Sequence, residues 1–123
     1  MPYPIYKLVH LLGIFMVLTV LAAASMHVLR GGRRADNPYR KALGTAHGVG
    51  AFLILLGGFG MLARLGIMHG GLPLWAYLKL AIWVALSGAI AVVYRGPGLA
   101  RTLLLAVPLL ALLAGAIALY KPF

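Results

Sequence analysis

Four histidines, one lysine inside an apolar run and a single carboxylate side chain are the residues of this sequence that could do chemistry: His10, His27, His47, His69, Lys79 and Asp36. A neutral imidazole can ligate a metal through one ring nitrogen. Two helices that each offer one such nitrogen can hold a b-type haem. His10 and His27 are seventeen residues apart, about 25 Å along a helix, and cannot share one metal. His27, near the end of one apolar run, and His47, near the start of the next, share a depth. They define an inner layer whose geometry allows a bis-histidine site, although for this pair the structural reading of interfacial histidines is preferred. His10 and Lys79 define an outer layer, a ligand beside a cation that could meet a haem propionate. His69 and Arg64 fall on that same outer side. The plain structural reading stands beside each of these: histidines at helix ends that donate to carbonyls or headgroups.

Lys79 carries the most information. A lysine near the centre of a membrane helix costs about 3 kcal/mol, and less toward an interface. Such a residue is usually paired, and Asp36 is expected on the other side of the membrane. The remaining partners are the terminal carboxylate of Phe123, a lipid phosphate, a haem propionate or a carboxylate of another subunit. Alternatively the side chain snorkels to the headgroups.

The elements that must position these residues follow from composition. Hydrophobic residues make up 63% of the 123 residues and charged residues 10%, with a mean hydropathy of +1.02. A soluble domain carries about 25% charged residues. Helices apolar all round must be buried or face lipid, and a chain this short has no large interior to bury them in. The absence of cysteine excludes disulfides and thiolate chemistry, and one carboxylate excludes paired-carboxylate catalysis. The formal charge of +10 does not mark a nucleic-acid binder, because the basic residues sit in short loops and form no continuous face.

Crossing about 30 Å of hydrocarbon takes about 20 helical residues. Four apolar runs reach that length, at about 6–29, 43–65, 72–94 and 99–120. The fold class is therefore all-α, an integral membrane bundle of four antiparallel transmembrane helices in a single domain. The third break, Arg95 to Gly98, is short enough to force a helical hairpin, and Pro108 should kink the fourth run without ending it. Ala22-Ala23-Ala24 satisfies a small-residue cleavage rule, but the apolar stretch is too long for a signal peptide and Lys7 is its only early cation. It reads as a membrane helix.

Lys and Arg counts set the orientation. Arg30, Arg33, Arg34, Arg40, Lys41, Arg95 and Arg101 oppose Lys7, Arg64 and Lys121. Loops one and three should be cytoplasmic and both termini outside, in a bacterial inner membrane. Tyr3, Tyr6, Trp75, Tyr77, Tyr94 and Tyr120 lie near run ends and read as an interfacial aromatic belt without chemistry. Gly44 with Gly48, followed by Gly57, Gly58 and Gly60, gives helix two a thin surface. Small residues let helices approach closely in lipid, so helix two should be the bundle's centre or the face that meets a partner.

Three stretches resemble known families. Tyr6-Lys7-Leu8-Val9-His10-Leu11-Leu12 looks like the opening helix of the small four-helix SirB-type proteins and HemJ-type protoporphyrinogen oxidases. Leu74-Trp75-Ala76-Tyr77-Leu78-Lys79-Leu80 is similar to their tryptophan-to-lysine signature, and Ala118-Leu119-Tyr120-Lys121-Pro122 resembles the SirB-type ending. The HemJ resemblance implies roles in haem chemistry for His10 and Lys79. The chain departs from it where Ala24-Ser25-Met26-His27 replaces a Pro-Arg-containing segment, and its size and ending match the SirB type better.

The leading expectation is a non-catalytic accessory or assembly subunit of a larger membrane complex, with b-type haem as its cofactor. Its partners would be the lipid bilayer and other membrane subunits or further copies of itself, and no nucleic acid. The alternative is a HemJ-like oxidoreductase acting on a porphyrinogen, with Lys79 in the catalytic site. No metal other than haem iron is expected. A transporter is disfavoured for want of buried acids.

Overall fold

The computed structural model describes residues 3–64, 71 and 73–120. Among them the chain is helical, without strands: α1 (Tyr3–Leu29), α2 (Arg40–Arg64), α3 (Leu74–Val93) and α4 (Pro97–Tyr120), with a single 3-10 turn at Arg34–Asp36. Each α-helix is long and apolar enough to cross a membrane, as expected of an integral membrane protein.

Three of the helices, α1, α2 and α4, begin earlier than the apolar runs, for local reasons. Hydropathy marks the lipid-facing span, whereas backbone chemistry decides where a helix starts. α1 opens at Tyr3 instead of Tyr6, because Pro4 fits a first turn where no N–H is required. α2 opens at Arg40 instead of Leu43. Asn37 Oδ1 accepts the Tyr39 N–H at 3.0 Å, and this Asx-type turn feeds the helix directly. Pro97 occupies the first position of α4, two residues ahead of the apolar run and a favoured place for proline. α3 runs from Leu74 and stops at Val93. The ends expected at Leu65 and Leu72 lie outside the described residues.

Glycines fix the pairing of α1 with α2. A Cβ on Gly13 would stand 2.5 Å from the Gly50 carbonyl oxygen and 2.7 Å from the Ile54 nitrogen. One on Gly57 would stand 2.6 Å from the backbone nitrogen of His10, and one on Gly60 would enter the Tyr6 ring. Residue 13 meets 50, 10 meets 57 and 6 meets 60, so the two helices are antiparallel and in backbone contact. Gly44 and Gly48, by contrast, are exposed with nothing within 4 Å of an added Cβ. The expected small-residue pair is therefore not part of this seam, which begins one turn further along α2.

The bundle is centred on α1 and not on α2. Val17, Leu21, Ala24 and Val28 of α1 are buried together with Ala51 of α2, Leu86, Ala89 and Val93 of α3, and Ala100 and Val107 of α4. α2 buries only His47, Gly50, Ala51 and Gly57. Its glycines let it lie against α1 but leave it few side chains with which to fill a core, Ala51 and Ile54 among them. α4 runs unbroken through Pro108.

This seam gives a direct expectation. Gly57→Ala forces α1 and α2 apart and should destabilise the folded chain by about 1–3 kcal/mol, the usual cost of overpacking. Gly48→Ala should leave stability unchanged or slightly raised. Thermal unfolding of both variants in detergent checks the contrast, and equal loss from the two would refute the seam.

Candidate functional site

α2 and α3 are joined by side-chain hydrogen bonds toward one end, and Leu62 of α2 packs against the cluster of Trp75, Ala76 and Ile117 toward the other. The His47 Nε2–H donates to the Ser87 carbonyl oxygen at 3.1 Å, and the Trp83 indole N–H donates to the Ala51 carbonyl oxygen at 2.9 Å. Pairs 47–87 and 51–83 step in opposite directions, so α3 is antiparallel to α2. Beyond Trp83 the helices leave a cleft with a cavity volume of about 140 Å³. His10 lines it from α1, Gly58 and Leu62 from α2, and Trp75, Lys79 and Trp83 from α3, with Ala118 of α4 at one edge.

The structure thus brings His10 and Lys79, the outer layer, into one cavity. The contact at Gly57 presses α2 onto the His10 backbone. From there the His10 Nδ1 lies 2.7 Å from the Ile54 carbonyl oxygen. A carbonyl can only accept, so Nδ1 carries the proton and the lone pair resides on Nε2. Such second-shell donation fixes the ring orientation and raises the basicity of the other nitrogen. Gly58 keeps the imidazole open on one side, since a Cβ there would lie 3.6 Å from His10 Cε1 and Nδ1.

The inner layer is arranged differently. His27, on the last turn of α1, donates from Nε2 to Asp36 Oδ1 and to the Arg33 carbonyl oxygen, both at 2.9 Å. Asp36 Oδ1 also accepts the Arg33 N–H at 2.8 Å. The carboxylate thus belongs to a clasp that shapes loop one. The buried His47 ties α2 to α3, and its Nδ1 and the Ser87 hydroxyl have no hydrogen-bond partner among the described residues. The two inner histidines therefore serve different elements. Among the described residues no three histidine or acidic side chains gather as a metal site. His69 and the Phe123 carboxylate lie outside the described residues.

Two site residues escape a reading by composition. Trp75 is buried in the cleft wall, so it does more than mark the interface. Trp83 had no assignment, yet Trp75, Lys79 and Trp83 recur every four residues, which places them on one helical face.

The chain matches no family model, no curated protein and no solved structure. What the cleft does must therefore be argued from its own groups. It offers one imidazole lone pair, one ammonium and two indole faces in an apolar setting. That donor set suits an apolar, flat, anionic ligand with an electrophilic or metal centre.

The clasp at loop one is sensitive to acid. The Arg33 backbone N–H, and after it the His27 side chain, hold the fully exposed Asp36 carboxyl below the ordinary aspartate range. A lowered folded value means that its contribution is complete above the unfolded value of about pH 3.9 and fades as pH falls through the folded one. Amide exchange at Arg33 should accelerate in that acid window. Asp36→Asn should show fast exchange at neutral pH and little further change.

Proposed function

We propose that this chain is a membrane-embedded accessory or assembly subunit that holds a b-type haem at the cleft between α2 and α3. The observation that carries the reading is the convergence of His10 and Lys79 on one apolar cavity, with the His10 Nε2 lone pair left open by the Nδ1–Ile54 hydrogen bond. His10 would ligate the iron, Lys79 would meet a propionate, and Trp75 and Trp83 would give the group apolar contact. Bound iron would supply one-electron chemistry; the protein supplies ligation, charge and a dry wall.

The donor set fits a haem, and the space qualifies how. Sites that bury a whole ligand run to about 300–1,000 Å³, more than the 140 Å³ of this cavity. The cleft would take one edge of a macrocycle and leave the rest at the mouth between α2 and α3. A neighbouring subunit that closes the mouth completes such a site, which is why the accessory reading is preferred. The same convergence of His10 and Lys79 supports a second reading, the HemJ-like porphyrinogen oxidoreductase that the sequence resembles.

The spectrum of the purified protein with and without dithionite tests the cofactor. A reduced alpha band should appear in the wild type and be lost in His10→Ala. It should weaken in Gly58→Leu, which fills the cleft beside the His10 ring, and persist in His27→Ala. A colourless wild type from haem-replete cells refutes the haem reading. Lys79→Met separates the two functions. As an accessory subunit the variant should fold and lose affinity for its neighbour, whereas a porphyrinogen oxidoreductase should keep its associations and lose oxidation.

Loops one and three are proposed to face the cytoplasm of a bacterial cell, with the termini across the inner membrane. The exposed basic residues at that end support this under the positive-inside rule. Reporters fused after Arg34 and after Gly98 should read cytoplasmic, and one after Phe123 should read external. An external Arg34 reporter inverts the assignment.

A further inference from the structure

The end of the bundle remote from the cleft is strongly basic. The Asn37 Nδ2 donates to the Tyr94 hydroxyl at 3.1 Å, which pins loop one against the end of α3. Arg30, Arg33, Arg34, Lys41, Arg95 and Arg101 are all exposed there, and the one carboxylate, Asp36, is already engaged by His27 and the Arg33 N–H.

Below this end, α1 and α4 leave a groove with a cavity volume of about 90 Å³. Leu18, Ala22 and Ser25 line one wall, and Leu104, Val107 and Pro108 the other. The groove exists because Ala22 and Ser25 are small where α4 passes. Proline at 108 also has no N–H to give the Leu104 carbonyl. Arg101 precedes Leu104 by three residues and Pro108 by seven, so all three share one face of α4. Arg101 therefore lies on the groove's side of α4, one turn before Leu104 toward the basic surface.

We propose that this groove binds one anionic phospholipid of the adjacent leaflet, with an acyl chain between α1 and α4 and the phosphate on Arg101. Charge complementarity selects that occupant. The walls accept hydrocarbon, and guanidinium matches phosphate geometry with two parallel hydrogen bonds. The site is independent of the cleft, which lies at the opposite end of the bundle and opens between other helices.

Native mass spectrometry of the full chain, released from nanodiscs of mixed phosphatidylglycerol and phosphatidylcholine, tests the assignment. The wild type should retain one phosphatidylglycerol, with a preference of about tenfold over phosphatidylcholine. Arg101→Gln should bring the preference to near parity. Ala22→Leu, at an exposed position, should remove the retained lipid while all cations remain. Arg34→Gln should behave as wild type. Equal losses from Arg34→Gln and Arg101→Gln would show a diffuse surface charge and overturn the site. Retention in Ala22→Leu, or a second copy of the chain in place of lipid, would overturn it as well.

Discussion

The backbone contact between α1 and α2 is the constraint on which the rest of the structure depends. In lipid no hydrophobic drive pushes helices together, so close packing must supply the attraction. Gly13, Gly50, Gly57 and Gly60 supply it by removing the side chains that would hold the axes apart. The consequence is unequal sharing. α2 approaches α1 so closely that it has little left for α3, which packs its Leu86, Ala89 and Val93 into the core with α1 and α4 and meets α2 through two side-chain-to-carbonyl hydrogen bonds. The cleft is what remains where those bonds stop.

That origin also explains the chemistry of the cleft. His10 is set by the seam itself, because its backbone nitrogen and Cβ lie against Gly57 and its ring donates to Ile54 one turn away. Lys79 is set by α3, one turn before the Trp83 anchor. A ligand between them would therefore be held by α1 and α3, which share the buried core at Val17, Leu21, Leu86 and Ala89. Electrostatic attraction in such an apolar setting is much stronger than in water. One cation and one lone pair are enough to orient a ligand there.

Much of the fold was legible in the sequence, because span length and loop chemistry are one-dimensional signals. The four helices, the tight link at Gly96 and the outer pairing of His10 with Lys79 could all be read from run position and depth. What could not be read is which face of each helix turns inward. Of the glycines that give helix two its thin surface, Gly57 and Gly60 do form the seam, together with Gly50, whereas Gly44 and Gly48 face away, and only a partner helix distinguishes them. The position of α1 at the centre was hidden for the same reason. Its valines and leucines look alike whether they face lipid or protein, and only packing shows Val17, Leu21, Ala24 and Val28 turned inward. Trp83 was recoverable from its four-residue step after Lys79, but its bond to Ala51 was not.

Charge divides the molecule in a way that limits what it can bind. The only carboxylate side chain is committed to loop one, where His27 and the Arg33 N–H hold it. Lys79 and His10 line the cleft at the other end. An anion finds an arginine-rich surface at one end and an ammonium beside an imidazole lone pair at the other. Whatever enters the cleft must also tolerate Trp75, Trp83, Leu62 and Ile54 along its length. A largely apolar body with a single acidic edge meets both conditions, whereas a small hydrophilic anion meets only one and would lose its hydration without replacement.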